Sequence, residues 1–84
     1  MTRIEGQLCR FSSPNDDVMH VCAHTPNVLF DWRKNPTYAK LGMKVFLVLN
    51  VVSSDLVPDL WWHRVLVDAS VFWILDDVGN IVAV

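Results

Sequence analysis

The sequence lacks the charge pattern of a nucleic-acid binder. Its 84 residues contain seven Lys or Arg against nine Asp or Glu, which gives a formal net charge of −2. Proteins that track a phosphate backbone normally carry a basic stripe. Here the basic residues are scattered, and Arg33 with Lys34 is the one adjacent pair. We therefore expect no nucleic-acid partner.

Long apolar runs are also missing. The run at residues 45–49, which no other run exceeds, extends to Val52 only across Asn50, well short of the roughly 20 residues that a membrane span needs. The opening residues MTRIEGQL lack the apolar core of a signal peptide. These features predict a cytoplasmic protein without a membrane partner. In that compartment Cys9 and Cys22 should be reduced thiols.

Motifs of common enzyme classes are absent as well. The sequence has no P-loop, no Gly-x-Gly-x-x-Gly, no Gly-x-Ser-x-Gly and no calcium-binding loop. The acidic pairs at residues 16–17 and 76–77 are typical of turns. Neither cysteine stands in a context that would activate it as a nucleophile. We therefore expect no enzymatic activity, no catalytic residue and no cofactor.

The sequence does contain abundant apolar material. Hydrophobic residues make up 52% of the chain, and four residues are Trp. The length fits one domain over residues 1–84. Because a small core does not need this many aromatic rings, some of them are expected in an interface.

Alternating apolar residues and evenly spaced turn signals predict an all-β fold with five or six short strands. Strands are expected within residues 4–11, 18–25, 43–52 and 81–84, in addition to a central hairpin. Residues 36–41 are predicted to form one short helical or 3₁₀ turn. Closing the sheet into a small barrel would remove its exposed edges.

The central hairpin is predicted over residues 61–77, with a three-residue loop at Asp68, Ala69 and Ser70. This loop places Val65 opposite Trp73. Strand alternation then assigns a core face to Trp61, Val65, Val67, Val71, Trp73 and Leu75. The opposite face carries Trp62, Arg64, Leu66, Phe72 and Ile74.

One part of the chain resembles small SH3-like barrels. The pattern consists of Gly42, Val45, residues 47–49, Trp62, residues 65–67, Val71 and residues 73–77. It is similar, more narrowly, to short uncharacterised proteins of tailed bacteriophages, although their hairpin turn usually carries Gly. The resemblance covers residues 42–81, about half the chain. It implies a barrel fold and a phage accessory or host-modulating protein in the host cytoplasm, and it transfers no catalytic residue.

A zinc site is an alternative interpretation of the second strand. His20, Cys22 and His24 alternate onto one face, and Cys9 or His63 offers a fourth ligand of the kind that zinc prefers. The spacing is not that of a zinc finger, and three collinear strand residues span about 13 Å. We therefore expect His20 and His24 to face solvent or a loop, with no metal bound.

The outer hairpin face is the predicted partner-binding surface, formed by Trp62, Arg64, Leu66, Phe72 and Ile74. Aromatic and Arg side chains concentrate binding energy in protein interfaces. The alternative is that residues 31–41, with Trp32 and Tyr38, cover this face from within the chain. The sequence thus predicts a non-enzymatic protein-binding module, with a structural homo-oligomer or a small zinc-binding protein as alternatives.

Overall fold

The fold is all-β, as the sequence predicts. A computed structural model describes residues 4–13, 19–24, 37–55 and 58–84. The strands are β1 (Leu8–Phe11), β2 (His20–Ala23), β3 (Thr37–Ala39), β4 (Phe46–Ser53), β5 (Trp61–Val67), β6 (Ser70–Asp76) and β7 (Ile81–Ala83). A 3₁₀ turn, Val78–Asn80, precedes β7. The helical turn predicted at residues 36–41 is wrong where the structure describes it, because residues 37–39 pair with β2 as a strand.

All seven strands belong to one antiparallel sheet with the order β3-β2-β6-β5-β4-β1-β7. The sheet is not closed into a barrel, so this part of the prediction is wrong. Its two edge strands, β3 and β7, have three residues each. Such short edges expose few unpaired backbone groups, so the sheet does not need closure to protect them.

The β5–β6 hairpin has a tighter turn than the sequence predicts. Val67 pairs with Ser70, so the loop is only Asp68 and Ala69. Both residues have positive φ angles, 48° and 66°, as in the type I′ turn that suits a two-residue hairpin. The pairing is therefore one residue away from the predicted register, and every β6 side chain moves to the other face.

This shift exchanges the predicted roles of the β6 residues. Val65 lies opposite Phe72 instead of Trp73. Ile74 is fully buried, and Phe72 packs against the core cluster. Trp73 is half-buried and Val71 is exposed, both on the outer face. The core positions predicted for Val65 and Val67 on β5 are confirmed.

β4 begins at Phe46, three residues later than predicted. Phe46 and Val48 are buried in the core, whereas Val45 is exposed. The register with β5 shifts between Val48 and Asn50. This bulge adds one residue to β4 and returns Val51 to the core face. The predicted strand 43–52 therefore does not keep a single alternation, because the bulge moves the odd-numbered Val51 to the same side as Phe46 and Val48.

The main core lies on the concave side of the sheet. Its buried members are Ile4, Cys9, Phe11, Leu41, Phe46, Val48, Val65, Val67, Ile74 and Ile81. Phe11 of β1 also stacks on His20 of β2, with 3.9 Å between ring centroids. Because β6, β5 and β4 separate these two strands in the sheet, the sheet must curl strongly for this contact to form.

Candidate functional site

The structure divides the predicted partner-binding residues between core and surface. Trp62 and Ile74 are fully buried at 0% exposure, so they offer no contact area to a partner. Phe72 is half-buried against the core. Only Arg64 and Leu66 remain exposed. The predicted set is therefore not one surface, because the one-residue register shift puts Phe72 and Ile74 on the core side.

Trp62 is buried although it lies on the outer side of β5. Trp62 pairs with Leu75 of the neighbouring strand β6, and Leu75 is also buried. The alternative expectation was that residues 31–41 cover this side. Most of that segment, including Trp32, lies outside the described residues. The end of the outer face around Trp62 is covered, and its other end is open.

The open end carries a row of apolar side chains that crosses the four strands β6, β5, β4 and β1 and continues to the residue after β7. Leu8 pairs with Leu47, Leu47 with Leu66, and Leu66 with Val71. Val84 extends the row, because its backbone N–H donates to the Leu8 carbonyl oxygen at 3.0 Å. The exposed fractions are 58% for Leu8, 37% for Leu66, 44% for Val71 and 73% for Val84. We call these five residues the outer apolar row.

Two arginines flank the outer apolar row on opposite sides. Arg10 follows Leu8 by two residues on β1, and Arg64 precedes Leu66 by two residues on β5; both are exposed. β1 and β5 run in the same direction, because each is antiparallel to β4. Strand alternation therefore puts the two guanidinium groups on the outer face at either side of the row.

The acidic side chains nearby are already engaged. Asp68, at the tip of the hairpin, forms an ion pair with Lys44. Arg10 donates from one guanidinium nitrogen to the Phe11 carbonyl oxygen at 3.0 Å. Among the described residues, no carboxylate pairs with Arg10 or Arg64. In the described part of the chain, Arg10 and Arg64 are therefore positive charges beside the row that no carboxylate neutralises.

The four residues of the zinc alternative lie in different environments. Cys9 is buried in the core, where its thiol approaches the Gln7 carbonyl oxygen at 3.5 Å. Burial raises the pKa of the Cys9 thiol and of the half-buried Cys22 thiol. His24 is exposed. Within the described residues, no group of three or more His, Cys, Asp or Glu is arranged to hold a metal ion.

His20 does not face solvent, which was one of the two environments expected for it; it borders a pocket together with Ser12 and Ser13 of the loop after β1. Its Nδ1 lies 3.3 Å from Asp76 Oδ2, and the two side chains are 10% and 15% exposed. Burial lowers the pKa of His20, and the neighbouring carboxylate partly opposes that effect. The imidazole borders a pocket of about 150 Å³ that lies where β1 meets β2.

His63 is a second buried histidine, which the sequence did not single out as a core residue. It is fully buried, and neither ring nitrogen has a hydrogen-bond partner of good geometry. Burial is the main cause that lowers its pKa; the backbone of Trp61 and Ile74 and the charges of Asp76 and Asp77 act in the opposite direction. His63 therefore stands neutral in the core at neutral pH.

The sequence reasoning missed most of the outer apolar row. Leu8 and Val84 come from opposite ends of the chain, and only the pairing of β1 with β4 and β7 aligns them. Leu47 lies in the predicted strand 43–52, whose apolar content is the signal that could have found it.

No helix among the described residues is long and apolar enough to cross a membrane. In the comparisons with known proteins, no family model, no curated protein and no solved structure matches this chain.

Proposed function

We propose that the protein is a non-enzymatic protein-binding module that contacts its partner through the outer apolar row. The observation that supports this function is the alignment of five apolar side chains, from four neighbouring strands and the residue after β7, on an open sheet face. Single exposed apolar residues are normal on protein surfaces. A contiguous apolar patch with a polar rim is typical of an interaction site.

The flanking charges indicate what kind of partner fits. Arg10 and Arg64 border the row, and the nearby Asp68 is paired with Lys44. A complementary protein surface would present aliphatic or aromatic side chains to the row and carboxylates to the two arginines. A second copy of the chain fits less well, because face-to-face packing would bring like charges together.

The biological context of this binding function is also part of the proposal. The resemblance to short phage proteins suggests an accessory or host-modulating protein that binds a host protein in the cytoplasm. A relationship to SH3-like barrels also stays a prediction that depends on sequence resemblance alone. The module needs no cofactor for this role, since recognition depends on apolar contact and charge pairing.

Selection from a displayed library of random peptides tests the binding chemistry directly. Peptides enriched on the wild-type protein should combine aliphatic or aromatic residues with Asp or Glu. Enrichment of basic peptides, or no enrichment, would contradict the proposal. The best peptide then serves as a ligand of known sequence.

A pair of neighbouring variants provides the matched control. Val71→Asp puts a charge into the row, whereas Ser70→Asp puts the same charge on the adjacent exposed residue, which alternates to the other face. Peptide affinity should fall by about tenfold or more for Val71→Asp and stay near the wild-type value for Ser70→Asp. Circular dichroism checks that both variants fold. Equal losses of peptide affinity in the two variants would mean that the peptide binds elsewhere on the protein. If the wild-type protein dimerises and only Val71→Asp abolishes the dimer, self-association is favoured instead.

A further inference from the structure

The pocket beside His20 shares no residue with the outer apolar row. Its wall is formed by Phe11, Ser12, Ser13, His20, Gly42, Asp76 and Asn80. An apolar cavity of about 150 Å³ is known to accept a molecule of about six heavy atoms. The space of about 150 Å³ here therefore suits the end of a side chain or a small organic molecule.

Hydrogen bonds hold Asp76 in a fixed orientation at the edge of the pocket. Its Oδ1 accepts from the Asp77 backbone N–H at 2.7 Å and from Asn80 Nδ2 at 2.8 Å. Its Oδ2 faces His20 Nδ1 at 3.3 Å. The Asp76 carboxylate therefore cannot turn away from the pocket without losing two hydrogen bonds.

The same contacts orient His20. A neutral imidazole that donates its Nδ1 proton to Asp76 presents Nε2 as an acceptor. The Phe11 ring lies parallel to the imidazole, with an angle of 1° between planes, and restricts its rotation. No described residue hydrogen-bonds to Nε2. Within the described part of the chain, His20 is thus a positioned acceptor whose Nε2 has no hydrogen-bond partner.

The remaining lining groups add acceptors and no positive charge. Ser12 and Ser13 carry hydroxyl groups, and Asn80 uses its amide nitrogen on Asp76, which leaves its side-chain oxygen as an acceptor. Among the described residues that line the pocket there is no Lys or Arg. An anionic ligand would meet the Asp76 carboxylate without a compensating cation.

We propose that this pocket binds a primary ammonium group on a short alkyl chain, either a lysine side chain of another protein or a free alkylamine. The ammonium group supplies three donors for the acceptors around Asp76 and His20. The Phe11 ring provides an apolar wall for the methylene groups. This site does not depend on the proposed function of the outer apolar row.

The probe for this site is Nα-acetyl-lysine methylamide, followed through the imidazole signals of His20 in long-range ¹H–¹⁵N spectra at constant pH. The expected result is a saturable shift of the His20 signals. The same molecule with its side-chain nitrogen acetylated keeps the length and loses the charge. It should bind about tenfold more weakly or worse, as should the glutamate analogue.

Butylamine separates the two sources of the ligand. Equal binding of butylamine and the lysine derivative would show that the pocket recognises only the ammonium group and its chain. Preference for the lysine derivative would identify a protein side chain as the ligand. Both results support an ammonium site, whereas an equal affinity for the neutral analogue, or no saturable shift at His20, would overturn it.

Two variants connect the binding to the pocket. Asp76→Asn removes the negative charge and should abolish the preference for the ammonium ligand over its neutral analogue. Val71→Asp, on the outer apolar row, should leave ammonium binding unchanged even if it abolishes peptide binding. If Asp76→Asn fails to fold, the comparison of charged and neutral ligands on the wild-type protein still decides the question.

Discussion

The Phe11 ring lies flat on the His20 imidazole, with centroids 3.9 Å apart and an angle of 1° between the planes. Phe11 also contacts Phe46 at 5.2 Å with tilted rings. This contact joins β1 to β2 across the concave side of the sheet, although three strands lie between them in the hydrogen-bonded order. The stack therefore fixes how far the open sheet curls, and it forms one wall of the His20 pocket.

A double-mutant cycle should detect the contribution of this stack to stability. Phe11→Leu, His20→Ala and the double variant are compared by urea unfolding at pH 7.5. Stacked ring pairs contribute about 0.5–1.5 kcal/mol beyond the area that they bury, so a coupling energy in that range is expected. Additive losses would mean that the two rings stabilise the fold independently.

The two tryptophans of the hairpin should differ in their effect on stability. Trp62 is fully buried, and Trp62→Ala should cost about 3–5 kcal/mol, most of the stability of a domain of this size. Trp73 is half-buried on the outer face, so Trp73→Ala should cost clearly less. Urea unfolding of both variants measures the difference. A larger loss for Trp73→Ala would contradict the register of the β5–β6 hairpin.

His63 should make the fold sensitive to mild acid. Burial lowers the pKa of His63 below its ordinary value of 6.5, so near and below pH 6.5 the unfolded chain binds more protons than the folded one. Stability is therefore fully present above about pH 6.5 and falls as the pH decreases towards the folded pKa. His20, with its pKa also lowered, adds to the same loss.

The variant His63→Leu isolates the contribution of this residue. It removes two buried nitrogens without partners, and such groups are costly in a core. The variant should equal or exceed the wild type in stability at pH 7.5 and lose less on going to pH 5.5. Urea unfolding midpoints at these two pH values give the comparison. An identical pH dependence in both proteins would show that His63 is not responsible.

The hairpin illustrates how much of this fold the sequence can predict. Alternation located two strands between Trp61 and Asp76 and assigned Val65 and Val67 to the core. Both sides of β6 are apolar, so hydrophobicity could not decide which side faces inward. The turn decides it, and Asp68 with Ala69 lacks the Asn-Gly or Asp-Gly signal of a two-residue turn. The register was therefore not recoverable from local sequence.

The candidate sites depend on contacts between distant parts of the chain. The outer apolar row needs residues from β1, β4, β5, β6 and the segment after β7 to align. The pocket needs Phe11, His20 and Asp76 to meet through the curl of the sheet. Periodicity identifies the face of each strand but not the strand order, so neither juxtaposition could be read from the sequence.

Ala69 is the position where a single change should stabilise the protein. Its φ angle is 66°, a left-handed conformation that costs an L-residue with a side chain roughly 1–2 kcal/mol. Glycine adopts this conformation without that cost, but it loses more entropy on folding. Since the first effect is the larger, Ala69→Gly should raise the free energy of unfolding by up to about 1 kcal/mol. The change should appear as a higher urea midpoint.

Ala83→Gly is the matched control for this prediction. Ala83 lies in the edge strand β7, is exposed and pairs with Cys9. Here glycine brings only its entropic cost, so stability should fall by about 0.5–1 kcal/mol. Opposite signs for the two Ala→Gly changes would confirm that the positive φ of the turn, and not the residue type, determines the effect. A loss of stability in Ala69→Gly would mean that the two-residue turn is not the one present in solution, and the three-residue loop with Val65 opposite Trp73 would have to be reconsidered.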